Sequence, residues 1–172
     1  MHVDVRFIDA TTADELAEVR ALFGELAQLD LAHMRRLGLN ERDSWELVFH
    51  SGEEPLPGDY APPGGRLVIA QVDGSVAGCG AIRCFSDDAC EMKRVFVRDA
   101  FRGEGIGRAI ATSLVATATA AGYRRMWLDT TTYLTAAIAL YESLGFRRCS
   151  PYYEIPAGLR SITICMERRL RA

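Results

Sequence analysis

The chain has 172 residues, which suits one compact domain spanning 1–172 and is short for two. Apolar residues make up 49%, enough for a sizeable core, and this excludes an intrinsically disordered chain. The formal net charge of −3 gives no general attraction to nucleic acid or to anionic membranes, so neither is expected as a partner.

Asp4, Arg6 and Asp9 interrupt the first apolar run, so the N-terminus does not read as a secretion signal. Val3–Asp9 reads as a first strand. Thr12-x-x-Glu15 then forms a capping box, and Leu16, Val19, Phe23, Leu26 and Leu29 follow at helical spacing. A second short helix is expected over Leu31–Leu37, stopped by Gly38. Trp45, Leu47, Val48 and Phe49 suggest a further apolar turn. Ser51–Gly65, rich in proline and glycine, excludes a regular element and reads as a surface loop within one domain rather than a linker between two; long ordered loops often border a binding site.

Sheet follows. Leu67–Val72 and Val76–Phe85 flank Asp73-Gly74, a two-residue hairpin signal, and Cys90–Val97 continues the meander after Ser86-Asp87-Asp88. Ile106, Ile110, Leu114 and Ala118 mark one face of a helix ending near Gly122; its alanine-rich body is too short to span a bilayer. Arg125–Thr130 alternates as a strand, Ala136–Leu144 is a helix closed by Gly145, Phe146–Cys149 begins another strand, and Ser161–Leu170 finishes the chain with Ile162, Ile164 and Met166 on one face. The five cysteines (Cys79, Cys84, Cys90, Cys149 and Cys165) include no C-x-x-C pair, so reduced thiols in a cytoplasmic protein are expected and a metal site is not.

The stretch from Val95 to Arg108 carries the chemistry. A strand ends, a short loop crosses over, and Gly103, Gly105 and Gly107 alternate into the start of a helix. Without a Cβ, Gly105 and Gly107 let the backbone approach a bulky anion and adopt positive φ, and the first helical turn offers unpaired N–H groups at the positive end of its dipole. That is a pyrophosphate cradle. A P-loop would need Gly-Lys-Ser/Thr where Ile106-Gly107-Arg108 stands, and a dinucleotide fingerprint would need glycine at Arg108. A glycine-rich turn without a ligand is the remaining alternative.

Arg102-x-x-Gly105-x-Gly107 after an antiparallel meander resembles the central signature of the GNAT acyltransferases. The run from Ala137 through Tyr141 to Gly145-Phe146 resembles that family's second signature, and Glu91-Met92-Lys93-Arg94 with Pro151-Tyr152-Tyr153 resembles a bacterial subgroup. Leu134 stands where many members carry asparagine, and Asp99 where proline is common.

The resemblance implies an α/β (α+β) fold: a mixed, mostly antiparallel twisted sheet of six to seven strands, about four flanking helices, and a splay between two parallel central strands. It implies acetyl-CoA as co-substrate, with the backbone of Val95, Phe96 and Val97 along the pantetheine arm. The N–H of Val97 would face the thioester carbonyl, and Arg102, Gly103, Glu104, Gly105, Ile106, Gly107 and Arg108 would surround the pyrophosphate. Tyr141 matches the family's general acid, which protonates the departing thiolate. Glu91 is the candidate base that deprotonates the amine; an ordinary strand carboxylate paired with Lys93 on the same face is the alternative. Cys90, on the opposite strand face, is a weaker candidate as a covalent relay. Tyr133, Tyr152 and Tyr153 are either lining of the acceptor pocket or rim residues. The acceptor is expected to be an amine of a small molecule or peptide, and homodimer formation is left open.

Overall fold

The computed structural model describes residues 4–39 and 55–170. In chain order the elements are β1 (Arg6–Asp9), α1 (Ala13–Arg36), β2 (Arg66–Val72), β3 (Ser75–Ser86), β4 (Ala89–Val97), α2 (Ile106–Ala120), β5 (Arg125–Thr131), α3 (Thr135–Ser143), β6 (Arg147–Arg148) and β7 (Thr163–Arg169). The sheet order is β1-β2-β3-β4-β5-β7-β6, antiparallel throughout except between β4 and β5.

Local chemistry sets several of these elements. The Thr12 hydroxyl accepts from the Glu15 N–H (3.3 Å) while the Glu15 carboxylate accepts from the Thr12 N–H (2.9 Å), closing the expected capping box. Asp73 and Gly74 both adopt positive φ (50° and 78°), as a two-residue turn matched to strand twist requires.

The expected break between Leu29 and Leu31 does not occur. α1 is one helix of 24 residues, because Asp30 has none of the helix-breaking power of glycine or proline and Leu31 and Met34 extend the buried stripe. The helices among the described residues therefore number three, not four. The expected turn at Trp45–Phe49 lies outside the described residues. β1 begins at Arg6, and β6 is limited to two residues. Within 55–65 the loop is anchored: a 3-10 turn at Gly58–Tyr60 buries the Tyr60 ring edge-on against Phe23, with centroids 6.3 Å apart.

Each sheet face carries a core. Val68 and Ala70 point to α2, where Ile110 and Leu114 are fully buried, while Leu67 and Ile69 alternate to the α1 face with Leu22 and Phe23. A third cluster joins Met34, at the end of α1, to Ile155, Leu159, Ile162 and Cys165. Ile162 thus lies with α1, not with Met166 as the alternation suggests, because it precedes the strand.

Gly78 sits where β3 meets the end of β4, and a Cβ there would collide with the Phe96 carbonyl oxygen. Backbone cannot yield as a side-chain tip can. Gly78→Ala is therefore expected to cost at least the ~1–3 kcal/mol of ordinary overpacking, read as a lower midpoint in thermal or urea unfolding.

Candidate active site

The parallel strands β4 and β5 pair only at Ala89–Glu91 with Arg125–Trp127, although β4 continues to Val97 and β5 to Thr131. Beyond Glu91 they diverge. A bulge in β4 accompanies the divergence: opposite β3, the register jumps between Cys79↔Phe96 and Ala81↔Lys93, and Arg94 takes a φ of 59°. The extra residue sends Lys93 and Arg94 to the same face, Lys93 onto Asp129 and Arg94 over the Phe23 ring (5.3 Å). A cleft of about 460 Å³ occupies the opening.

The cleft joins the two faces of the sheet. On the α2–α3 side its walls include Val95, Leu134, Ala137 and Tyr141. On the α1 side they include Asp30, Glu91, Lys93, Asp129, Tyr152 and Tyr153.

At the end of β4, Arg98 N–H donates to the Ala77 carbonyl (2.9 Å), so strand alternation turns the Val97 N–H away from β3 and toward the gap. The Val97 carbonyl, on that same side, accepts from Arg102 Nε (3.1 Å). Gly103 and Gly105 both adopt φ of 83°, and Gly105 begins α2. An added Cβ at either meets nothing within 4 Å, so the demand for glycine is one of backbone conformation and not of space. The first intrahelical bond runs from Ala109 N–H to Gly105 O (3.0 Å), leaving the N–H groups of Ile106, Gly107 and Arg108 ahead of it. The side chains of Phe96 and Ile106 are buried, at 7% and 1% exposure, and the Phe96 carbonyl points to β3. Glu104 is exposed. Arg108 donates to the Ser143 hydroxyl (2.7 Å) and ties the first turn of α2 to α3.

Carboxylates and tyrosines pair along the α1-side wall. Glu91, 1% exposed, takes Arg83 Nε on one oxygen (2.6 Å); Tyr152 OH (2.7 Å) and Lys93 Nζ (3.4 Å) approach the other. Asp129 accepts from Lys93 (2.8 Å) and Tyr153 OH (3.3 Å). Burial alone would raise the Asp129 carboxyl, but the charge and hydrogen bond of Lys93, with Tyr153 and Arg94 adding, hold it below its ordinary value. Burial first, then the neighbouring carboxylates, pushes Tyr152 and Tyr153 up, so both remain protonated donors. Trp127 stacks on Tyr152 (5.2 Å) and Phe85 meets both edge-on, closing the wall with aromatic surface.

Tyr141 faces this wall across the gap. Its ring is 8% exposed and packs edge-on against Phe146 (5.9 Å). Burial, and after it the charge of Asp129, raises its hydroxyl pKa, so it stays protonated at neutral pH.

The model of the acetyltransferase (GNAT) family matches residues 33–146, which include the bulged strand, the glycine loop and Tyr141. The chain belongs to this family. An uncharacterised N-acetyltransferase of Schizosaccharomyces pombe is 34% identical over 116 residues, 64% of this chain and 71% of that protein. An acetyltransferase structure from Streptococcus agalactiae shares the fold at a TM-score of 0.71 and 18% identity, covering 96% of this chain and 98% of that one. A GNAT family acetyltransferase from Elizabethkingia anophelis, solved with acetyl-CoA bound, gives a TM-score of 0.54 at 21% identity over 70% of this chain and 95% of its own. This GNAT chain is an acyltransferase that uses acetyl-CoA for N-acetyl transfer.

One candidate from the sequence has no place in the chemistry of this GNAT site, and one residue that the sequence reading does not single out belongs to it. Cys90 is fully buried, and burial pushes its thiol up to about 12, which leaves no nucleophilic thiolate for a covalent relay. Asp30, which no sequence motif marks, lines the cleft and accepts from Tyr133 OH (3.2 Å). The signal lay in spacing: Leu26, Asp30 and Met34 fall at i, i+4 and i+8, so a carboxylate occupies an inward-facing helical position. No helix among the described residues is long and apolar enough to cross a membrane.

Proposed function

We propose that this GNAT chain transfers acetyl directly from acetyl-CoA to an amine of a small molecule or peptide, both bound at once, across the β4–β5 gap. The observation that carries this reading is the cleft that brings Tyr141 from one sheet face and the carboxylate wall from the other to a single opening. The residues present fit acetyl-CoA: left-handed glycines at 103 and 105, first-turn N–H groups ahead of the first intrahelical bond, and a β4 edge along Val95–Val97 that β5 does not pair with. The bound co-substrate supplies the thioester.

In this reading the N–H groups from Gly103 to Arg108 bind the pyrophosphate, and Arg102 and Arg108, both held by neighbours, add positive charge. The Val97 N–H, turned to the gap, stabilises developing negative charge on the carbonyl oxygen. Tyr141 gives its proton to sulfur. Glu91 has both oxygens turned to Arg83, Lys93 and Tyr152, which favours a role in fixing the acceptor wall over direct contact with the amine. The free thiols at Cys79, Cys84, Cys90, Cys149 and Cys165 fit a reducing, cytoplasmic setting.

Acetyl-CoA is expected to raise the melting temperature: at ~100 times Kd a ligand that binds only the folded state adds ~2.7 kcal/mol, worth roughly 5–10 °C in a chain of this size. Desulfo-CoA should act nearly as well, because most contacts go to the pyrophosphate and arm. CoA release is then measured with L-aspartate, spermidine, ethanolamine and a peptide with a free N-terminus. No melting shift with either compound at millimolar concentration would overturn the reading.

A further inference from the structure

The wall has four carboxylates, Asp30, Glu91, Asp129 and Glu154, and they are not equivalent. Glu91 and Asp129 are ion-paired to Arg83 and Lys93, and Glu154 is exposed. Asp30 projects from α1 into the cleft, and no lysine or arginine among the described residues comes within ion-pair distance of it. Its hydrogen-bond partner is Tyr133, whose OH reaches Oδ1 and whose ring is stacked on His33 (4.6 Å).

We propose that Asp30 is the group that accepts the proton of the incoming amine. The proposal rests on the acetyl-transfer reading above. For a neutral amine, the nitrogen lone pair forms the N–C bond to the acetyl carbon, and the C–S bond breaks with its electron pair on sulfur. One N–H proton passes to the Asp30 carboxylate, sulfur takes the Tyr141 proton, and Asp30 returns its proton to the tyrosinate through solvent in the cleft. An amine arriving as ammonium first gives its extra proton to solvent.

The surroundings suit this work. Burial dominates and lifts the Asp30 carboxyl from its ordinary 3.8 to about 6. The Tyr133 hydrogen bond and the charges of His33, one turn on along α1, and Arg94 on β4 oppose that shift, while Asp129 on β5 adds to it. A carboxylate so placed is ionised at neutral pH and is a stronger base than an exposed one. Asp129 also raises Tyr141, so one fixed charge acts on both the proposed base and the proposed acid.

The test is the pH profile of kcat/KM, taken with the amine of the panel above that the wild type turns over. The wild-type profile should show an acid limb with a midpoint near 6. Asp30→Asn keeps the shape and the bond from Tyr133; it should lower kcat by ~10²–10⁴-fold, remove that limb and leave acetyl-CoA affinity unchanged. Glu91→Gln should lower the rate without moving the limb. An Asp30→Asn enzyme that keeps the limb and near-wild-type kcat overturns the proposal while leaving acetyl transfer intact, whereas loss of acetyl-CoA stabilisation in the wild type overturns the transfer reading itself.

A second measurement needs no acceptor. A carboxyl whose folded pKa is raised contributes stability that is full below its unfolded value, near 3.8, and is lost as pH climbs through about 6. Asn cannot ionise, so Asp30→Asn should melt with the wild type at about pH 4 and above it at about pH 8. A variant that melts below the wild type at both pH values would mark Asp30 as a structural residue and overturn its catalytic role.

Discussion

Tyr141→Phe is expected to lower kcat by ~10²–10⁴-fold, with CoA affinity and melting temperature close to wild type. The substitution removes one hydroxyl and keeps the ring that packs on Phe146 in the buried cluster. What is lost is a proton at the leaving sulfur, whose thiol pKa of ~8.5 makes departure easier when a donor assists. Because burial and the Asp129 charge both raise the Tyr141 pKa, the hydroxyl stays protonated at neutral pH, and the wild type should show no loss of rate as pH rises to about 9. Single-turnover kinetics isolates chemistry from product release. A variant with near-wild-type single-turnover rate would make the tyrosine a packing residue, with water protonating the thiolate.

Gly107→Glu is expected to abolish acetyl-CoA binding without unfolding the chain. A Cβ at residue 107 would sit at ordinary contact distance from Leu140 (3.6 Å) and Val97 (3.7 Å), between α3 and the end of β4. The fold can accept it. A glutamate in the first turn of α2 also suits the positive end of the helix, and replacing glycine inside a helix gains up to ~1 kcal/mol of propensity. The same side chain fills the opening and brings negative charge to the loop proposed to hold phosphate. The apo variant should therefore melt at or above the wild type, while stabilisation by acetyl-CoA, read by calorimetry or melting shift, disappears. Normal affinity in the folded variant would show that the pyrophosphate lies elsewhere.

The parts of this protein legible in sequence are those fixed by neighbours in the chain. The Thr12–Glu15 box, the Asp73-Gly74 turn, the left-handed glycine at 105 and the alternation of β5 each depend on a few consecutive residues, whereas Gly107, where positive φ is also expected, sits inside the helix. The glycine loop followed by the Tyr141 helix was specific enough to point to the family that the comparison then showed. The expected break between Leu29 and Leu31 shows the limit of spacing rules: Asp30 carries no helix-breaking chemistry, and the helix runs through it.

What the tertiary structure decided is how the charges of the site are shared. Glu91 and Lys93 could be placed on one strand face from their spacing. That Arg83 from the neighbouring strand and Tyr152 from beyond β6 would close on the same carboxylate depends on the sheet order β3-β4-β5-β7. Asp30 gains its elevated pKa only because an unbroken α1 lays it beside the divergence of β4 and β5, where burial removes water and Tyr133 comes within reach. Local sequence fixes backbone conformation through sterics and neighbouring hydrogen bonds. The ionisation of a buried side chain depends on desolvation and on charges carried by other elements, and those are set only when the sheet has assembled.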